Sequence, residues 1–222
     1  MGKLIVLEGT DGSGKSTQME LLKSRLEREQ VAFRRLRFPR YEEESSALIR
    51  MYLGGQFGEK PDDVNPYAAS TFYAVDRFAS YAADWKEYYE QGGLLISDRY
   101  TTSNAVHQGG KMATAEQEDF FRWLYDLEFE KMRLPKPDLV LFLDMPTALT
   151  EQLMRHREQD TNTHADIHEK DLAYLAACRE TAARAAAFYG WRTVPCAENG
   201  QLRTIEAIHE DIYALVKACL EA

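Results

Sequence analysis

Residues 7–17 read LEGTDGSGKST, and within them Gly9–Ser16 fits the pattern GxxxxGKS/T. A loop of this kind works in one context only. The chain must leave a strand, turn so that successive backbone N–H groups face one point, and enter a helix whose positive dipole end adds to the field there. Both flanks agree: LIVL (4–7) reads as a buried strand, and Met19, Leu22 and Leu26 recur at helical spacing after the loop. Gly9, Gly12 and Gly14 permit the backbone turns. The run Gly9, Thr10, Asp11, Gly12, Ser13, Gly14, Lys15, Ser16, Thr17 is therefore expected to cradle the phosphates of a nucleotide. Lys15 would reach the β- and γ-phosphates and the Ser16 hydroxyl would ligate Mg²⁺.

The remaining apolar runs extend the same logic. GLLIS ends at Asp98 and Arg99, and LVLFL ends at Asp144. FRRLRF (33–38) and WRTVPC (191–196) supply two further strands, with long helical stretches between. Strand and helix alternating in this way predict an α/β fold with a central parallel five-stranded sheet covered on both faces. Asn65 as cap, Pro66 in the first turn and Gly92–Gly93 as terminator bound a helix over 66–90. Further helices are expected over 115–131, 147–157, 168–189 and 202–220. The polar stretch QDTNTHAD (159–166) reads as a mobile loop. In such a sheet ligands bind beyond the carboxyl ends of the strands, so Glu8, Arg40, Asp98, Arg99 and Asp144 should converge on one edge.

The length of 222 residues suits one domain over 1–222. A formal charge of −9 argues against a nucleic-acid footprint, so an anionic ligand must be held by local cations. Three cysteines without CxxC spacing imply neither a disulfide framework nor a zinc site and suit a reducing cytoplasm. The four apolar residues before Glu8 are too few for a secretion-signal core or a membrane span. A GTPase would need NKxD and DxxG segments well after the loop, and neither is present.

A second group of cations and aromatics suits another nucleotide: FPRY (38–41), FYAVDR (72–77) and DRYTTSNAVHQ (98–108). Together with the phosphate loop these motifs resemble the thymidylate kinases, over about residues 3–169. The resemblance implies the P-loop nucleoside monophosphate kinase fold with a small lid at about 155–169, ATP as donor and dTMP as acceptor, and a homodimer. It further implies that Tyr73 stacks on thymine and Arg77 meets a base carbonyl. Arg40 and Arg99 would clamp the acceptor phosphate, with Arg99 also touching the transferred group. Asp98 would orient Arg99, or hold the attacking phosphate or the Mg²⁺ water. Asp11 would sit near the acceptor's 3′-hydroxyl, Asn104 and Gln108 would contact the base, and Phe38 and Tyr41 would line the pocket.

Physical checks stand beside these roles. Tyr73 and Arg77 are four apart and share a helix face, whereas Phe72, the competing stacker, points about 100° away. The structural alternatives are a core tyrosine with a solvated arginine, and a plain Asp98–Arg99 pair. His107 stands where the family usually has Tyr or Phe helping to exclude a ribose 2′-hydroxyl, so the resemblance does not imply strictness for deoxynucleotides: if His107 leaves the sugar edge unguarded, UMP or ribothymidylate competes with dTMP. Gly12 stands where some relatives carry a loop arginine, so Arg155 and Arg157 are expected to bring catalytic charge from the lid. The alternatives to dTMP phosphorylation are a kinase for another monophosphate or a deoxynucleoside, and a nucleotide-binding regulatory module without transfer chemistry.

Overall fold

The computed structural model describes residues 1–150 and 172–222. In chain order they form β1 (Lys3–Glu8), α1 (Lys15–Arg28), β2 (Arg34–Arg37), α2 (Ala47–Leu53), α3 (Pro66–Ser80), α4 (Lys86–Glu90), β3 (Leu94–Asp98), α5 (Thr101–His107) and α6 (Gln117–Tyr125). After these come β4 (Leu139–Asp144), α7 (Leu172–Tyr189), β5 (Arg192–Pro195), the short pair β6 (Ala197–Glu198) and β7 (Gln201–Leu202), and α8 (Ile205–Glu221). The five expected strands form one parallel sheet in the order β2-β3-β1-β4-β5. β1 lies at its centre, so the loop that follows it opens between the ends of β3 and β4.

The two-residue period of β1 divides the core. Ile5 and Leu7 face α1 and α8, packing with Leu22, Leu26, Ile208 and Ile212. Leu4 and Val6 face the opposite side with Leu95, Trp85 and Tyr100. Each such buried side chain is worth about 1.5–3 kcal/mol of transfer free energy. Both faces of the sheet are covered, and its carboxyl edge carries the site.

Helix 66–90 starts as expected, the Asn65 carboxamide accepting from Tyr67 N at 2.8 Å. Its path is not uniform, because Tyr81–Trp85 adopt π geometry between α3 and α4. The helix expected over 115–131 behaves alike, with π geometry at Asp126–Lys131 after α6. α2 and α5 were not anticipated, nor was the hairpin of β6 and β7, which turns on Asn199 (φ 51°) and Gly200 (φ 77°). The expected helix over 147–157 is described only at 147–150. The polar loop, the lid segment and the start of the helix expected from 168 lie outside the described residues.

Candidate active site

Within the loop, Gly14 takes φ 85° and caps α1, a left-handed conformation that favours glycine. Gly9 is needed for another reason, since a Cβ there would meet Ser13 Oγ at 2.6 Å and Leu143 O at 3.2 Å. The Lys15 ammonium folds back onto the loop, donating to the carbonyls of Gly9 (2.6 Å) and Thr10 (3.0 Å). Burial, and next the Arg99 cation, lower its pKa to about 8 against the pull of Asp11, Glu8 and Asp98. A buried ammonium with weakened hold on its proton stands ready for an anion.

Arg99 follows β3 with φ 66°, an uncommon conformation for a residue with a side chain. That turn aims its guanidinium back at the loop, where it bonds to Asp11. Its Nη1 also donates to Ser103 Oγ (3.3 Å) and His107 Nε2 (2.9 Å) and lies 3.6 Å from Glu8. Guanidinium cannot accept, so His107 Nε2 is the acceptor. Glu8 is fully buried and takes hydrogen bonds from Gly9 N, Thr102 Oγ1 and Ser103 Oγ, which ties β1, the loop and α5 together. Burial opposes the Arg99 charge, but Asp11, Glu8 and Asp98 outweigh it and hold its pKa above the ordinary value.

Around these groups lies a cavity of about 500 Å³. The phosphate loop from Asp11 to Thr17 lines one end, and Phe38, Tyr73, Arg77, Asn104 and Gln108 line the rest with Arg99 and His107 between. Among the described lining residues are four cations, Lys15, Arg37, Arg77 and Arg99, against two carboxylates, Asp11 and Asp98. Glu128 stands behind Arg77 and Glu8 behind Arg99, so in a chain of net charge −9 the pull on phosphates rests on local groups, Lys15 and the loop N–H groups above all. Gln108 is 1% exposed, and its Oε1 has no hydrogen-bond partner among the described residues. Phe72 turns away from the cavity to pack against Tyr52 and Phe57, leaving Tyr73 as the helix's aromatic on this side.

Several expected residues fall elsewhere. Arg40 does not line the cavity; its Nε donates to Asp76 Oδ1 (3.3 Å) and its Nη2 to Ser45 Oγ (3.0 Å). Arg37, three residues earlier at the carboxyl end of β2, lines it instead. Asp98 does not bond Arg99, which Asp11 and Glu8 hold; its own ion pair is with Arg35 at 3.9 Å. Arg77 is not solvated but 1% exposed, gripped by Glu128, a residue the sequence analysis did not single out. Gly9 and Thr10 offer carbonyls to Lys15 and do not face the cavity. Arg155 and Arg157 lie outside the described residues. For a hard cation such as Mg²⁺ the donor chemistry fits, since the Ser16 hydroxyl and the carboxylates of Asp11 and Asp98 line the same cavity.

A family model described as thymidylate kinase matches residues 7–212. A thymidylate kinase from Mycobacterium tuberculosis is 31% identical over 170 residues, 76% of this chain and 78% of that one. One from a Synechococcus strain is 31% identical over 211 residues, 94% of each chain. Among solved structures, a thymidylate kinase from Candida albicans superposes with a TM-score of 0.72 at 21% identity, covering 98% of this chain and 92% of that one, a likeness of fold. The phosphate loop, the parallel sheet that carries it and these matches lead to one conclusion: the chain belongs to the thymidylate kinase family.

Proposed function

We propose that the protein transfers the γ-phosphoryl group of ATP to dTMP, giving ADP and dTDP. The observation that carries this reading is that one cavity takes in both groups of residues. Its phosphate loop and its pocket lined by Tyr73, Arg77 and Gln108 meet at Arg99, so two nucleotides can lie phosphate to phosphate. Family membership supports the choice of substrates.

In this reading Lys15 and the loop N–H groups hold the donor phosphates, and Arg99 bridges acceptor and transferred group. The acceptor phosphate oxygen attacks the γ-phosphorus, and the bond from that phosphorus to the β,γ-bridging oxygen breaks, leaving ADP. The acceptor is already anionic, so no protein base is required, and catalysis rests on positioning and charge stabilisation. Mg²⁺, held through Ser16 with Asp98 or Asp11 near, would neutralise charge on the β- and γ-oxygens. Arg37 takes the place at the cavity that was expected of Arg40. Tyr73 offers a ring face to thymine, Phe38 and Tyr41 form walls, and Asn104 and Gln108 face the base edge.

Three further parts of the proposal rest on the chain's length, its cysteine usage and the family resemblance. The chain forms one domain whose segment at about 155–169 acts as a lid, with Arg155 and Arg157 bringing charge to the transferred group. The protein pairs as a homodimer, for which the exposed Val75 and Phe78, neighbours on α3, offer apolar surface. It works in the cytoplasm, where its free Cys178, Cys196 and Cys219 would stay reduced. No described helix is long and apolar enough to cross a membrane. ADP release with ATP and dTMP tests the reaction, and failure of dTMP to stimulate it would overturn the proposal. Sedimentation tests the dimer.

A further inference from the structure

Glu128 has no exposed surface and lies in the π stretch after α6. Phe121 and Leu124 of α6 are buried, and Glu128 falls one turn further along the same inward face. A carboxylate at a position that should be apolar is costly unless paired. Its partner is Arg77, which donates from Nε to Glu128 Oε2 at 2.6 Å and from Nη2 to Oε1 at 2.5 Å, a two-pronged fork. Thr101 Oγ1 adds a third bond to Oε2 at 2.7 Å, joining the pair to α5, the helix that carries Asn104 and His107. Arg77 Nη1 also donates to the Tyr100 carbonyl at 3.4 Å.

These contacts engage three of the five N–H groups that a guanidinium carries. One N–H on Nη1 and one on Nη2 remain, on a side chain that lines the cavity. The pair carries no net charge, so this end of the cavity offers donors without attracting a second phosphate. The pull on phosphates comes from Lys15 and the N–H groups of the loop. Gln108, whose Oε1 is buried without a hydrogen-bond partner among the described residues, lines the same cavity. Donors without net charge match an uncharged ring bearing a carbonyl.

Resting on the proposed phosphorylation of dTMP, we infer that Glu128 is a positioning residue: it fixes and neutralises Arg77, and so makes this end of the cavity select an uncharged, carbonyl-bearing base. The test is steady-state kinetics on Glu128→Gln, Thr101→Val, Arg77→Ala and the Glu128→Gln/Arg77→Ala double variant, with melting temperatures alongside. Glu128→Gln should raise the KM for dTMP about tenfold or more while the KM for ATP stays within about twofold, the signature of lost acceptor binding. Thr101→Val should shift the dTMP KM the same way by a smaller factor, and it carries the test if Glu128→Gln does not fold. In the Arg77→Ala background, Glu128→Gln should add nothing further to the dTMP KM. An active wild type whose Glu128→Gln and Thr101→Val variants lose melting temperature but keep the dTMP KM would overturn the inference alone. So would an undiminished effect of Glu128→Gln in the absence of Arg77. A wild type that does not phosphorylate dTMP would overturn the proposed function and this inference together.

Discussion

Replacing Arg99 by alanine removes a side chain that bridges the phosphate loop and α5 through Asp11, Ser103 and His107. A cation placed on a transferring phosphoryl group is worth about 10³–10⁵ in rate, or about 4–7 kcal/mol at 1.36 kcal/mol per decade. The lower end applies here, because Asp11 and Glu8 already absorb part of the Arg99 field and Lys15 remains. Turnover should therefore fall about 10³-fold. The scaffold should survive, since Glu8 keeps its bonds from Gly9 N, Thr102 and Ser103. ATP binding should survive as well. Burial first and Arg99 second hold the Lys15 pKa at about 8, and removing Arg99 lifts one of these two, so Lys15 is more fully charged at neutral pH. Steady-state ADP release gives the turnover, and equilibrium binding of a non-hydrolysable ATP analogue gives the affinity. A fall in turnover smaller than about tenfold, or loss of nucleotide binding in parallel with activity, would refute the reasoning.

Arg77→Ala should raise the KM for dTMP about tenfold to a hundredfold, the worth of a hydrogen bond to a charged donor, and leave the KM for ATP nearly unchanged; equal effects on both would remove its base-reading role. For pH, the folded-state pKa of Lys15 is lowered, so in the free protein the side chain is charged below about 8 and neutral above it. kcat/KM for ATP should thus decline above pH 8 while kcat persists to higher pH, and Arg99→Ala should move that limb upward; a flat kcat/KM profile through this range would contradict it. Because the His107 ring is turned toward Arg99, UMP or ribothymidylate should compete measurably with dTMP, and His107→Tyr should weaken that competition. Complete exclusion of both by the wild type would show that the sugar edge is already guarded.

β1, β3 and β4 were legible because each is a short apolar run stopped by a charge, as at Leu7–Glu8 and Ser97–Asp98, and burial on both sheet faces demands such runs; the edge strands β2 and β5 bury one residue each. Asn65 and Pro66 marked a helix start by local chemistry alone. The π stretches at 81–85 and 126–131 were not legible, because a wider turn is set by what the helix packs against rather than by its own residues. α5, TTSNAVH, shows no apolar period because its buried face is largely polar, with Thr101, Thr102 and Asn104 serving Glu128, Glu8 and Ser70 respectively. A signal for the late hairpin was present in the Asn199–Gly200 pair. That the phosphate loop, Tyr73, Arg77 and Arg99 line one cavity was readable. Which of Arg37 and Arg40 faces the cavity was not, since it depends on where β2 ends and on Asp76 reaching back from α3. Glu128 left a trace in the sequence as an acid on an otherwise apolar helix face, but its partner 51 residues away became visible only in the fold.

The most direct measurement is ADP release with ATP alone and with ATP plus each common deoxy- and ribonucleoside monophosphate in turn. One cavity holding two nucleotides phosphate to phosphate predicts little release without an acceptor and the highest kcat/KM with dTMP. Release that proceeds equally well without any acceptor, or that favours a different monophosphate, would contradict it.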